Sequence, residues 1–239
     1  MPIREVTDSF QLESIVPYFQ PIVDLENARV WRYECLARLV TPSEKTFLPN
    51  EFLYLIERNN YAQQLTETIF CQSAKYFENM NIPWNINLNA ADLVNLELTN
   101  TLIAHLANYP NPSRVSVEVS AKTAMQDSNQ LNAFIERSLH SGLGVFIDNV
   151  GKTPGNIKNL MSLPIRGVKL AGGMIKQLDS HPEVKEFVLH VCELAQARSI
   201  SVVAEHIEDE ATLDKVRQLP IRYAQGFVFS KPRPAPTPH

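Results

Sequence analysis

The 239-residue sequence predicts an α/β fold, a TIM-like (β/α)8 barrel whose first strand runs antiparallel to the others. Three observations predict it. Short apolar runs with strand period alternate with amphipathic stretches of helical period, the order of a mainly parallel sheet built by right-handed crossovers. The two earliest runs are joined only by Asp24-Leu-Glu-Asn27, too short for a crossover, so that pair must be antiparallel. Polar side chains, mostly charged, also recur at or near the end of one run after another: Glu34, Asn87, Glu118, Asp148, Lys169 and Glu205. Charges are costly in buried strands unless paired or bound to metal, so these groups are expected to converge on one face of the barrel.

The elements follow in order. A short helix is expected near Phe10 to Ile15, then strands at Val16 to Val23 and Val30 to Leu39. Helical periodicity covers Pro49 to Arg58 and Ala62 to Asn79, followed by a strand from Asn85 to Asn89. A helix near Val94 to Ala107 precedes the strand Val115 to Val119, and a helix Asn129 to His140 precedes the strand Val145 to Asp148. Leu131, Phe134, Ile135 and Leu139 give that second helix one apolar face. A short helix after Pro154, a strand Arg166 to Leu170, a long helix Glu183 to Arg198 and a strand Ser201 to Glu205 come next. A helix Glu210 to Gln218 and a strand Tyr223 to Phe229 complete the run, and the proline-alternating tail from Lys231 to His239 is expected to be extended and solvated.

The net charge of -4 gives no reason to expect a DNA or RNA polymer as partner. Met1 to Ser9 lacks the apolar core of a signal peptide, and no segment approaches the ~20 apolar residues of a membrane span, so a cytoplasmic protein with no membrane partner is expected. Cys35, Cys71 and Cys192 are odd in number and set among apolar residues, which reads as reduced thiols of the core.

Glu34, Glu118, Asp148 and the Asn87 amide together offer hard oxygen donors suited to Mg2+ or Mn2+. Lys169, flanked by Val168 and Leu170, is expected to point inward and hold an attacking water or a phosphate oxygen. Glu205, with Glu208 following in Ala-Glu-His-Ile-Glu, serves as a further ligand or as a base. Trp31 and Trp84 read as packing residues, Lys152 as a solvated loop lysine and His206 as a partly exposed histidine.

At these residues the chain resembles the EAL-type cyclic-di-GMP phosphodiesterases, from Phe19-Gln-Pro-Ile22 to Gln225-Gly-Phe-Val-Phe-Ser-Lys-Pro232. The family's Glu-Ala-Leu is similar to Glu34-Cys35-Leu36, followed by Arg38, and its asparagine strand to Ile86-Asn-Leu-Asn89. Its Glu-Leu-Thr-Glu resembles Glu118-Val-Ser-Ala121, and its Asp-Asp-Phe-Gly-Thr-Gly loop resembles Asp148-Asn-Val-Gly-Lys-Thr153. Its Leu-Pro…Lys-Ile-Asp is similar to Leu163-Pro-Ile-Arg-Gly-Val-Lys-Leu-Ala171, and its Ala-Glu-Gly-Val-Glu to Ala204-Glu-His-Ile-Glu208.

The resemblance implies a barrel over residues 16–233, with an extension at 1–15 and a disordered tail at 234–239. It also implies that one phosphodiester of cyclic-di-GMP is opened by metal-bound hydroxide to give linear pGpG. Carried over, Glu34, Asn87, Glu118 and Asp148 hold the first metal, Lys169 stands by the nucleophilic water, and Glu205 is ligand or base. Gln20, Leu36 and Arg38 touch the dinucleotide, Gln225 orients water or ligand, and Glu208 supports the site. The departures concentrate on the second metal and its loop. Asn149 keeps an oxygen donor but lacks a charge, Ala121 and Ala171 replace acidic residues, and His206 replaces a glycine.

Three functions therefore fit. They are a Mg2+- or Mn2+-dependent phosphodiesterase with slowed turnover, a cyclic-di-GMP receptor without turnover, and a degenerate barrel acting through protein contacts. The sequence shows no sensory or cyclase segment, so control is expected from another signalling protein, from expression level or from association, and the resemblance makes a homodimer an expected state.

Overall fold

The computed structural model describes residue 7 and residues 10–235. Eight of its ten strands close into a ring: β1 (Ile15–Asp24), β2 (Arg29–Val40), β4 (Trp84–Leu88), β5 (Val115–Ser120), β6 (Gly144–Val150), β7 (Gly167–Leu170), β8 (Ser201–Ala204) and β9 (Tyr223–Gln225). β1 pairs antiparallel with both of its ring neighbours, β2 and β9, and every other ring pairing is parallel. The expected barrel with a reversed first strand is thus the observed one. β3 (Thr46–Phe47) extends β2, and β10 (Arg233–Pro234) lies along β1.

The turn that reverses β1 is held by a single carboxylate. Asp24 accepts from the Glu26 backbone N–H at 3.0 Å and from Asn27 Nδ2 at 2.9 Å, closing the turn on itself. It also accepts from Arg222 Nη2 at 2.7 Å, just before β9. One side chain therefore joins the hairpin to the last strand of the ring.

Alternation along each strand divides the interior. Trp84, Ile86 and Leu88 pack in the core beneath the helices, and Asn85 and Asn87 take the opposite, inward face. Helix Ala62–Phe77 covers this side with Ile69, Phe70, Ala74 and Phe77. Trp84 is fully buried against Phe77, and its Nε1 donates to the Tyr109 hydroxyl at 3.2 Å, so both tryptophans are packing residues as expected. Trp31 stacks on Tyr223 at 3.7 Å and joins Ile22, Phe146 and Val203 inside the barrel, below the polar strand ends.

Several elements differ from expectation. The single helix expected at Asn129 to His140 is preceded by another, Ala121–Gln126, because the Ser120 hydroxyl accepts from Thr123 N–H and starts a helix directly at the strand end. A one-turn helix, Gly172–Ile175, follows β7, and Ala90–Val94 and Leu96–Ala107 replace one helix through the Asn95 cap. The helix expected near Phe10 to Ile15 is a 3-10 turn, Leu12–Ser14. The tail is exposed at Arg233 and Pro234 as expected, yet these residues pair with Phe19 and Tyr18, and 236–239 lie outside the described residues. Among the described residues, no helix is long and apolar enough to cross a membrane, and the three cysteines are free thiols.

The strand expected to reach Phe229 ends at Gln225 for a steric reason. A Cβ on Gly226 would lie 2.0 Å from the Ile207 carbonyl oxygen and 2.3 Å from its nitrogen, so two backbones cross here where only glycine fits. Ile207 N–H donates to Gln225 O at 3.1 Å and Val228 N–H to Ile207 O at 3.0 Å. Gly226→Ala is expected to destabilise the protein by about 1–3 kcal/mol through forced backbone displacement, measured by denaturant unfolding. An unchanged midpoint would contradict this crossing.

Candidate active site

The polar strand ends do converge, and they converge on Lys169. Its side chain is fully buried, and Nζ lies 2.8 Å from Glu118 Oε2, 2.8 Å from Glu205 Oε1, 2.9 Å from Glu34 Oε2 and 4.0 Å from Asp148 Oδ1. Strands β2, β5, β6 and β7, with the residue following β8, thus deliver one ammonium and four carboxylates to one point.

Amides surround the charges. Asn87 Nδ2 donates to Glu34 Oε1 at 2.8 Å, and Gln225 Nε2 donates to Glu34 Oε2 at 2.7 Å and to Gln20 Oε1 at 3.2 Å. Gln20 Nε2 in turn reaches the Ser230 carbonyl at 3.2 Å. Register explains this cluster, since Gln20 faces Glu34 across β1 and β2 while Ile22 faces Gln225 across β1 and β9. The antiparallel first strand is what brings Gln20 to the parallel strand ends.

A cavity of about 300 Å³ opens above the cluster, lined by Gln20, Glu34, Leu36, Arg38, Asp148, Asn149, Glu205, Glu208 and Gln225 among others. Of the residues expected in the site, Asn87, Glu118 and Lys169 lie off this lining. Glu118 and Lys169 are buried beneath it, whereas Asn87 is solvent-exposed on the rim. Arg38 is held by the Ala37 carbonyl at 2.7 Å, and Glu208 pairs with Lys176 at 2.8 Å on the outer edge.

Two further residues belong to the site. Asn85, fully buried, donates through Nδ2 to Glu118 Oε1 at 2.7 Å. Period two in Trp84-Asn-Ile-Asn-Leu places it on the same face as Asn87, a signal the strand-end pattern overlooks. Arg32, two residues before Glu34, lies 4% exposed with its guanidinium 4.4 Å from the Phe146 ring centre and 4.6 Å from that of Trp31. Its Nε and Nη1 have no hydrogen-bond partner, and burial lowers its pKa to about 10 against the attraction of Glu118.

Several acids share one ammonium in this buried place, and their surroundings push them in different directions. Burial favours neutral Lys169, but Glu118, Glu205, Glu34 and Asp148 outweigh it and hold the ammonium charged well beyond the usual lysine range. Burial likewise opposes ionised Glu34, yet Lys169, Asn87 and Gln225 together keep its carboxyl below the usual value. Glu118 goes the other way, pushed up to about 8 by burial and by the Glu34 charge. Burial also raises Glu205 well above the ordinary range despite Lys169. Burial and charge therefore push these acids in opposite directions, Glu34 down and Glu118 and Glu205 up.

In the loop after β6, Asn149 closes on its neighbour Asp148. The Asn149 backbone N–H donates to Asp148 Oδ1 at 2.7 Å and Asn149 Nδ2 to Asp148 Oδ2 at 2.5 Å, with Asn149 at a φ of 57°. Its amide nitrogen thus offsets the Asp148 charge. Among the described residues, no three carboxylate, imidazole or thiolate groups are preset as a metal cage, because the Lys169 ammonium takes the point on which the acids converge.

The family model of the EAL domain matches residues 3–232. The chain belongs to the EAL domain family. It is 25% identical over 240 residues to the bifunctional diguanylate cyclase/cyclic di-GMP phosphodiesterase MucR of Pseudomonas aeruginosa, covering 98% of this chain and 35% of MucR. It is 26% identical to the cyclic di-GMP phosphodiesterase RocR of the same organism, over 91% of this chain and 57% of RocR. The chain thus spans only part of these relatives. The fold of this EAL domain superposes with a TM-score of 0.86 on the PaMucR phosphodiesterase in its c-di-GMP complex, at 24% identity and 98% coverage of both chains. The FimX EAL domain of Pseudomonas aeruginosa bound to c-di-GMP gives 0.83 at 19% identity, covering 98% of this chain and 96% of that one.

Two measurements follow from this charge arrangement. Lys169→Met removes the common partner of three buried acids, and the cost expected without divalent cation is about 3–5 kcal/mol, read from chemical denaturation at neutral pH. A loss below about 1 kcal/mol would contradict the pairing. Because the folded Glu118 carboxyl is raised to about 8 from an ordinary 4.5, the folded state binds more protons than the unfolded chain between those values. Stability should accordingly fall as pH rises from 6 to 8.5 in chelator, and Glu118→Gln should flatten that slope. A melting temperature that climbs across this range would reverse the assignment.

Proposed function

We propose that this EAL domain binds cyclic-di-GMP over the acidic cluster together with a divalent cation, Mg2+ or Mn2+, and slowly opens one phosphodiester to give linear pGpG. The observation that carries this reading is Lys169 joined to Glu34, Glu118 and Glu205 beneath a cavity lined by Gln20, Leu36, Arg38 and Gln225. The family relation and the named activities of MucR and RocR support it.

The donors fit a hard cation in kind. Glu34, Glu118 and Asp148 offer carboxylates and Asn87 an amide oxygen, while Glu205 Oε2 is buried with no hydrogen-bond partner. A bound divalent ion would polarise the phosphoryl group and acidify a water. Asn149 is the remaining oxygen donor of the proposed metal set, and its φ of 57° and bond to Asp148 hold it against that carboxylate.

The chain's own groups supply the rest. Glu205, held beside Lys169 with Oε2 free of hydrogen bonds to the described residues, accepts a proton from the attacking water once it is ionised. Lys169 balances the acids and holds them in place, and Gln225, fixed between Gln20 and Glu34, orients the water or the ligand. Arg38 and Leu36 contact the dinucleotide from β2, and Glu208 supports the rim through Lys176.

A receptor without turnover is the second reading, and Asn149 favours it. Its amide closes Asp148 by hydrogen bonding where a second cation would want a carboxylate. The proposed unit is the barrel over 16–233, with 1–15 and 234–239 as extension and tail. Its proposed setting is the cytoplasm, with a homodimer and a signalling-protein partner as its associations.

Calorimetry with cyclic-di-GMP and Mg2+ or Mn2+, beside chromatography for pGpG, tests the proposal. Binding with slow pGpG release is expected, Glu205→Gln should lower turnover by roughly a hundredfold, and Asn149→Asp should raise it severalfold. Tight binding with no product over hours leaves the receptor, and absence of binding defeats both readings.

A further inference from the structure

His206 is a solvent-exposed residue with an uncommon backbone, a shaped seat for its Cβ and, among the described residues, an imidazole with no partner. It follows Glu205 directly, and its φ of 57° lies in the left-handed region that a side chain disfavours. Glycine would suit this backbone better. At Gly172, on the neighbouring loop after β7, the reverse holds. Its backbone lies outside the left-handed region, but a Cβ there would fall 2.3 Å from His206 Cβ and 2.7 Å from Cγ. The missing side chain at 172 is thus the space that seats the one at 206.

Strained backbone that persists beside a site is a reason to look for a role. His206 lines the cavity above the acidic cluster and also a second cavity of about 430 Å³, and Asn149 lines both. Lys152 lines the second. Among the described residues the imidazole makes no hydrogen bond or ion pair, while Asn149 has committed its side-chain nitrogen to Asp148. On this side of the mouth, His206 is a seated polar group with a donor to spare.

We propose that His206 donates a hydrogen bond to a phosphoryl oxygen of the cyclic dinucleotide, holding the phosphodiester on the side where Asn149 presents an amide instead of a carboxylate. The inference rests on the reading of the main cavity as a cyclic-di-GMP site. A neutral imidazole suffices, since one ring nitrogen carries a proton in either tautomer.

The test is calorimetric binding of cyclic-di-GMP with Mg2+ to the wild type, His206→Gly and His206→Asn, with thermal unfolding of each. His206→Gly relieves the backbone and removes the donor, so its melting temperature should hold or rise while affinity falls by about tenfold or more. His206→Asn tolerates the left-handed backbone and restores an N–H, so it should recover affinity to within about threefold of wild type. Wild-type affinity in His206→Gly overturns the inference and leaves the cyclic-di-GMP reading standing. Equal weakening in both variants overturns it in favour of a packing role. A wild type that binds no cyclic-di-GMP defeats the reading and the inference together.

Discussion

The buried ammonium of Lys169 is the constraint from which the rest of the site follows. A lysine without solvent exposure is tolerable only if anions meet it, and the anions that do so lie 135 residues away at Glu34 and 51 away at Glu118. Strands so far apart in sequence meet only when the ring is closed. β1 closes it by pairing with β2 on one side and β9 on the other, and the Asp24 bond to Arg222 fixes that closure at the opposite end of the hairpin. Fold and charge balance therefore depend on each other.

The same arrangement explains why the site holds its acids in unequal states. Lys169 brings one positive charge to Glu34, Glu118, Asp148 and Glu205, and Arg32 adds a second from a layer below without forming an ion pair with any of them. Glu34 takes the largest share of neutral donors, with Asn87 and Gln225 as well as Lys169, and it is the acid held ionised. Glu118 has Asn85 and Lys169 but no exposure, and Glu205 keeps an unpartnered oxygen, so burial prevails at both.

Much of this was legible in the sequence because barrel strands obey two simple periods. Strand alternation and a polar residue at each strand end located Glu34, Glu118, Asp148, Lys169 and Glu205, and the short Asp24 to Asn27 turn gave the reversed strand. What escaped depends on contacts that no local pattern carries. Asn85 is set one layer deeper than the strand ends, and Arg32 is sheltered between its neighbour Trp31 and the Phe146 ring of a distant strand. The end of β9 at Gln225 is imposed by the Ile207 backbone, and the pairing of Arg233 with Phe19 holds a proline-rich segment that composition alone reads as solvated.

The residues that the resemblance sets apart from the family pattern share a location with a physical meaning. Asn149, Ala171 and His206 stand at the ends of three successive strands, β6, β7 and β8, on one side of the mouth. The opposite side, built from β1, β2 and β9, keeps Gln20, Glu34, Arg38 and Gln225 in contact with one cavity. Changes at strand ends leave the outward-facing core of those strands intact, as fully buried Ile147, Val168 and Ala204 show. Charge can thus be removed from one half of the rim without loosening the barrel. Asn149 satisfies Asp148 by its amide, and Gly172 yields the space that His206 fills, so these two strand-end residues each have a local fit. Local fits of this kind hold the rim together, because an acid or a cavity left uncompensated would cost the fold stability.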